Sequence, residues 1–259
     1  MDRFDLKDLT FIIPIRLDTI DRIFNLQMVT ECLLDNFETN IHILESGAFN
    51  NKILNKLLSD KIQYTFVEDL DDIFYRTYFI NKMTKACKTP YIAVWDSDVI
   101  SRPEQIINAL DLLRKNEADF VYPYEFKFLD TSKEISELYF KTKDFSVLEK
   151  NKGKMKEMYA PLPVGGAFMA RTESYIKSGI ENTKFYGWGV EDGERIFRWK
   201  VLDYKVKRIN GPLYHFTHDR GINSINTIEQ SEDKKLLLAN VANNSKERLL
   251  EEVKTWNKD

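Results

Sequence analysis

Apolar positions in the first hundred residues alternate between short continuous runs and longer stretches spaced every three or four residues. Residues 9–15 (LTFIIPI), 41–44, 63–67 and 91–95 (YIAVW) are runs of the first kind and predict four strands. Between them, residues 21–36 carry Ile23, Phe24, Met28, Val29, Leu33 and Leu34 at helical spacing. Residues 51–58 predict a short helix, and residues 74–88 a longer one that ends at Thr89-Pro90. YIAVW is apolar on both faces, as a strand covered by helices on each side must be. This βαβαβ rhythm predicts an α/β fold with an open, Rossmann-like sheet, whose ligands sit beyond the carboxyl ends of the strands.

The second half continues with a helix over residues 103–115 and a strand over 120–124. Residues 130–160 are lysine-rich and only weakly periodic, and are expected to form a surface excursion, partly helical and mobile, a candidate lid. A regular pattern returns at 163–171, followed by a loop, a helix over 191–202 and a strand over 205–209. The tail from Ile228 reads as a charged amphipathic helix without chemistry of its own. With no repeat and no linker, the expectation is one domain over residues 1–228, its nucleotide-binding half about 1–100 and its acceptor half about 101–228, and a helical extension over 229–259.

Composition narrows the function more than the fold. The 259 residues carry a net charge of −3 and no dominant basic stripe, which argues against a nucleic-acid partner. The start, MDRFDLKD, lacks the apolar segment of a secretory signal, and no run approaches the roughly 18 apolar residues of a membrane helix. A cytoplasmic protein without an integral membrane segment is expected, with peripheral membrane association left open. Cys32 and Cys87 lie far apart without a CxxC pattern and read as free thiols in a reducing compartment.

Three places carry candidate chemistry. Asp96-Ser97-Asp98 directly follows the YIAVW strand. Paired carboxylates there make a hard-oxygen site for Mn²⁺ or Mg²⁺ bridging a diphosphate. A solvated turn would look the same in the tripeptide, and the position past a buried strand favours function. His215 and His218, two of only three histidines, form an HxxH pair suited to a divalent metal, or two ordinary surface histidines. His42, among apolar neighbours on the second strand, reads as structural. Gly187-Trp188-Gly189-Val190-Glu191-Asp192 sets an indole, a platform for a sugar face, beside two carboxylates that open a helix. Acidic residues commonly begin helices, but a carboxylate beside a sugar-binding ring can also deprotonate a hydroxyl held there.

In order along the chain, FIIPIR, FYRTYFINKM, VWDSDV, PVGGAFM, GWGVEDGE and HFTHD resemble the motifs of GT-A glycosyltransferases, in particular the β-1,4-galactosyltransferases and bacterial chondroitin-synthase-like enzymes. The resemblance spans about residues 9–226 and implies a GT-A sheet, mixed in strand direction and flanked by helices. It also implies roles. Pro14 and Arg16 would touch the nucleotide and Glu45 the base; Arg76 would contact the diphosphate, with Asn81 further along the same segment. Asp96 would face the ribose and Asp98 the metal; Gly165 and Gly166 would line the donor sugar. Trp188 would contact sugar, Glu191 bind hydroxyls, Asp192 act as base, and His218, with His215, hold the metal. Tyr75 stands where the family has asparagine, and Pro163-Val164 replaces an aromatic residue of the galactosyltransferases.

The expected function is therefore an inverting, Mn²⁺- or Mg²⁺-dependent transfer of a galactose- or N-acetylgalactosamine-type sugar from a UDP-sugar to a glycan acceptor, as in polysaccharide biosynthesis. A nucleotidyltransferase would need a glycine-rich basic loop after the first strand, where this chain has Arg16-Leu17-Asp18-Thr19. A non-catalytic sugar-binding module would not need Asp98, Asp192 and His218 together. A zinc hydrolase would call for HExxH, which is absent.

Overall fold

The computed structural model describes residues 3–256 apart from 220, 222 and 224–227. The first half follows the expected rhythm: β1 (Phe4–Ile15), α1 (Ile20–Asn36), β2 (Phe37–Gly47), α2 (Ile53–Leu57), β3 (Gln63–Glu68), α3 (Arg76–Ala86) and β4 (Tyr91–Trp95). Thr19 starts α1 by accepting the Arg22 backbone N–H on its hydroxyl, the local reason the helix begins there. The second half runs β5 (Val99–Ile100), α4 (Pro103–Arg114), β6 (Phe120–Tyr122), β7 (Phe128–Asp130), α5 (Lys133–Thr142), α6 (Phe145–Asn151), β8 (Lys156–Met158), β9 (Ala167–Arg171), α7 (Thr172–Lys177), α8 (Glu191–Val201), β10 (Val206–Arg208), β11 (Leu213–His215), α9 (Ile228–Ala242) and α10 (Lys246–Val253).

Seven strands form the main sheet in the order β10-β6-β9-β4-β1-β2-β3. All its pairs are parallel except those of β9, which runs antiparallel to β4 and β6. Phe11, Ile12 and Ile13 of β1 and Ile92 and Ala93 of β4 have no exposed surface, because helices cover both faces. The chain leaves β1 toward β2 on one side and enters β4 on the other. That reversal opens a crevice at the carboxyl ends of β1 and β4, where Pro14 and Asp96 to Asp98 lie.

A second sheet, β5-β11-β7-β8, was not foreseen. Its strands are two or three residues long, too short for periodicity to show. Residues 130–160 hold more structure than their weak pattern predicted: α5 and α6 bury Tyr139 and Leu148 completely or nearly so, and β8 pairs with β7. The tail is two helices rather than one, with Ser245 capping α10. Leu202, Val241, Leu249, Val253 and Trp256 make a small separate core there. Residues 257–259 of the expected extension, and 220, 222 and 224–226 of the resembling stretch, lie outside the described residues. Cys32 is buried and Cys87 partly so, both unbridged. No helix among the described residues is long and apolar enough to cross a membrane.

Candidate active site

The small sheet builds the metal-ligand group. β11 pairs antiparallel with β5, which sets His215 opposite Val99 and so next to the turn that carries Asp98. Trp95 Nε1 closes that turn by donating to the Val99 carbonyl at 2.9 Å, and the Phe216 N–H donates to the Asp98 carbonyl at 2.8 Å. His218 Nε2 then stands 3.2 Å from Asp98 Oδ2, and His215 Nε2 3.7 Å from Oδ1. One donor atom from each of Asp98, His215 and His218 falls within a 4.8 Å span.

The backs of both rings are held as metal ligands require. His215 Nδ1 is 2.7 Å from Asp130 Oδ1, and His218 Nδ1 is 2.8 Å from the Asp219 carbonyl. Each acceptor can take a hydrogen bond from Nδ1 and turns Nε2 toward Asp98, where the Nε2 of a neutral ring is available to a cation. Burial alone would raise the Asp98 carboxyl, but His215, His218 and Arg22 hold it well below the usual range. His218 loses basicity to burial and regains more from Asp98, ending above an ordinary imidazole. The residues present therefore fit a divalent cation: an ionised carboxylate and two oriented imidazoles in a cavity rich in carboxylates.

That cavity, about 490 Å³, is shared with Pro14, Arg76, Asp96, the Gly165-Gly166 pair, Trp188, Glu191 and Asp192. Arg76, at the start of α3, donates to Asp96 Oδ1 at 2.5 Å. Burial, together with Asp98 and Asp192, raises Asp96 above its ordinary value in spite of Arg76. The Asp96 N–H donates to the Gly166 carbonyl at 2.8 Å, and Tyr124 to the Gly165 carbonyl at 2.7 Å, so the glycine pair is strapped against the acidic turn. Space limits both glycines, and Gly166 also has a left-handed φ of 79°. A β-carbon on Gly165 would come within 2.6 Å of Asp192 Oδ2, and one on Gly166 within 2.6 Å of the Phe128 ring.

At the mouth of α8, Asp192 and Glu191 stand in different surroundings. Asp192 accepts from Arg195 one turn on, and Arg195 Nη1 also bridges both Glu181 oxygens at 2.9 Å. Arg195 is 1% exposed and Glu181 is as buried, so a rigid internal ion pair sets the direction of Asp192. Glu191 is 6% exposed and its Oε2 has no hydrogen-bond partner among the described residues. Burial, then the neighbouring Asp192, push its carboxyl up to about 7, against the pull of Arg76 and Arg195. Arg76 Nη1 is likewise buried and without a partner among the described residues. An unmet donor and an unmet acceptor facing a shared cavity leave places for a ligand's polar groups.

Three sequence-predicted residues stand outside the cavity lining. Arg16 pairs with Asp69 and donates to the Asp71 carbonyl, tying the end of β1 to the loop after β3. Glu45, level with Ile15 at the carboxyl end of β2, accepts from Tyr64 at 2.6 Å. Asn81 is 3% exposed and exchanges two hydrogen bonds with the backbone of Glu181, the partner of Arg195. These side chains hold the loops and the ion pair on which the site rests. His42 lies 3.0 Å from Thr65 between β2 and β3, a structural contact. Sequence reasoning missed Arg22, Asp130, Glu181 and Arg195. Only Arg195 left a signal, at one helical turn from Asp192.

Residues 149–219 match the family model described as the N-terminal domain of galactosyltransferase. That stretch holds the glycine pair, GWGVED and both histidines of the metal group. No curated protein matches the chain. Among solved structures, the catalytic domain of Drosophila β1,4-galactosyltransferase 7 complexed with xylobiose is 16% identical, with a TM-score of 0.53 over 90% of this chain and 79% of that one. A point mutant of that enzyme complexed with manganese, UDP-Gal and xylobiose gives 15% and 0.54, with the same coverage. Glucosyl-3-phosphoglycerate synthase from Mycobacterium tuberculosis, complexed with Mn²⁺, UDP and phosphoglyceric acid, gives 13% and 0.53 over 89% of this chain and 76% of its own. The chain thus has the fold of the GT-A glycosyltransferases, and its residues 149–219 carry the galactosyltransferase sequence pattern.

Proposed function

We propose that this protein transfers a sugar, of galactose or N-acetylgalactosamine type, from a UDP-sugar to a glycan hydroxyl with inversion at C1. The observation that carries the reading is the meeting of two devices in one cavity: the Asp98, His215 and His218 group, and Asp192 held by a buried arginine. The manganese and UDP complexes of the structural neighbours support the donor class. The galactosyltransferase pattern over residues 149–219 supports the sugar type.

A divalent cation bound by Asp98, His215 and His218 would neutralise charge on the departing diphosphate. Two imidazoles among three ligands suit Mn²⁺ better than Mg²⁺. Arg76 offers its unpartnered Nη1 to phosphate oxygens, at the cost of no new burial. Pro14 and Asp96, at the carboxyl ends of β1 and β4, border the nucleotide side. Gly165 and Gly166 leave room for the donor sugar, and Trp188, 40% exposed, offers a ring face to the acceptor. Glu191 binds an acceptor hydroxyl through its unpartnered oxygen. Asp192 takes the proton of the attacking hydroxyl as the new bond to C1 forms and the bond from C1 to phosphate oxygen breaks; UDP leaves and Asp192 keeps the proton.

The test joins binding to turnover. UDP should bind at least about tenfold more tightly with Mn²⁺ than in EDTA, about 1.4 kcal/mol by calorimetry. Asp192→Asn should bind UDP and Mn²⁺ like the wild type while losing about 10²–10⁴ in transfer rate. Equal UDP affinity in EDTA would remove the metal bridge, and near wild-type transfer by Asp192→Asn would move the base elsewhere, with Glu191 the first alternative.

A further inference from the structure

The C-terminal tail, which its sequence marks as inert, reaches the site. α9 lies along α8 with Ser231, Lys234, Leu238 and Val241 turned inward at helical spacing. Ser231 borders the cavity. Leu238 comes within 4.0 Å of where a β-carbon on Gly193 would sit. Between them, Lys234 is only 5% exposed, and its Nζ donates a 2.6 Å hydrogen bond to the Trp188 carbonyl. The same Nζ is 3.9 Å from the β-carbon position of Gly187.

The loop it meets needs fastening. Gly187 to Val190 lead into α8 without a side-chain cap, and Val190 itself is left-handed at φ 57°. A backbone carbonyl drawn partly out of water without a donor would cost free energy, and the ammonium offsets that cost for Trp188. Burying the ammonium carries its own cost, which lowers its affinity for the proton; the nearby Glu191 works in the opposite direction. One side chain thus joins the loop that carries Trp188, three residues before Glu191, to a helix outside the nucleotide-binding sheet.

We propose that Lys234 is a positioning residue for the acceptor: it fastens the Trp188 carbonyl so that the indole and Glu191 are set before the acceptor arrives. The fastening stands on the contact itself, while its consequence for the acceptor rests on the function proposed above. Preorganisation of this kind lowers the ordering cost of binding. It predicts an effect on the acceptor and none on the donor, whose proposed contacts lie on β1, the turn after β4, α3, the glycine pair and the β11 end, whereas Lys234 holds the Trp188 carbonyl in the loop before α8.

The experiment separates the two layers. Acrylamide quenching of Trp188 is read as the difference between each protein and the same protein carrying Trp188→Phe. In Lys234→Met the Trp188 component should quench at least about twofold more strongly, and in the exposed-neighbour control Lys235→Met it should not change. Lys234→Gln, shorter but still polar, gives the same reading if the methionine variant does not fold. Unchanged quenching in Lys234→Met or Lys234→Gln overturns the proposal. With UDP-galactose and Mn²⁺ as donor and xylobiose as acceptor probe, Lys234→Met should raise the acceptor KM about tenfold and leave the donor KM unchanged. A fall in kcat with both KM values unchanged would also overturn it. Absence of transfer by the wild type would count against the function proposed above, and the quenching result would then decide the fastening alone.

Discussion

Glu191 and Asp192 are neighbours with the same chemistry and different environments. Asp192 faces the cavity under the grip of Arg195, while Glu191 is buried with one oxygen unpartnered. The raised Glu191 carboxyl makes a stability prediction with a definite sign. Its ordinary value is 4.5 and its folded value about 7. Between those two pH values the folded chain keeps a proton that the unfolded chain has lost, so stability falls as pH rises through this window. Above it the deficit is constant, on the order of 3 kcal/mol at 1.36 kcal/mol per tenfold in proton affinity. Glu191→Gln keeps the shape without the charge. It should therefore melt several degrees above the wild type at pH 8 and at about the same temperature at pH 4. An advantage of equal size at both pH values would show that the wild-type carboxyl is not perturbed. Asp130 supports a second prediction at this scale. It touches only the back of His215, at 2.7 Å, yet it sets the tautomer and direction of that ring. Asp130→Ala should weaken Mn²⁺ binding about 10–100-fold in a metal titration, although Asp130 is not itself a ligand. Wild-type affinity in this variant would leave His215 oriented by something else.

Among the elements, the stretch between β7 and β9 divides into an anchored part and a part that borders the cavity. α5 and α6 are pinned by Tyr139 and Leu148, at 2% and 0% exposure. Tyr159 and Leu162 are about half exposed, and with Pro163 and Val164 they border the cavity. Tyr159 packs edge-on against Phe128, and Arg208 donates to the Pro163 carbonyl at 2.9 Å. Any ordering on ligand binding should therefore concentrate in residues 159–164, between β8 and the fastened glycine pair, and spare α5. Hydrogen exchange with and without UDP and Mn²⁺ measures this. Slow exchange in 159–164 that the ligands do not change would show that the segment is already fixed. Equal new protection in α5 would show that the whole excursion moves as one body.

For the molecule as a whole, the cavity gathers Asp96, Asp98, Glu191 and Asp192 against Arg22 and Arg76. A surplus of carboxylates in a partly buried space favours uptake of a cation. A ligand that binds only the folded state stabilises it by RT ln(1 + [L]/Kd), about 2.7 kcal/mol at one hundred times Kd. Mn²⁺ at that ratio should raise the melting temperature by several degrees, and His218→Ala should remove most of the gain. Because Asp98 raises His218 above an ordinary imidazole, the gain should begin to fall already above the ordinary value of 6.5 as pH is lowered. A melting temperature indifferent to Mn²⁺ in the wild type would mean that Asp98, His215 and His218 do not form a metal site.

The sheet and its ligand edge were legible in the sequence because their signal is local. A five-residue apolar run such as YIAVW, bounded by proline and by Asp-Ser-Asp, can be read without knowing what it touches. The same holds for GWGVED and HxxH, whose few residues lie close together along the chain. What assembles the site is not local. Asp98 meets His215 because β5 pairs with β11, two strands more than a hundred residues apart and too short to announce themselves. Asp192 is aimed by Arg195 because Glu181 holds the other side of that guanidinium, and Glu181 is itself held by Asn81 from α3. Lys234 looks like one charge among many on a surface helix, and its burial follows only from the face that α9 turns toward α8. Hydrophobic period reports which side of an element is buried. Which polar groups meet there depends on how distant elements pair, and in this protein that pairing decided the metal group, the direction of Asp192 and the reach of the tail into the site.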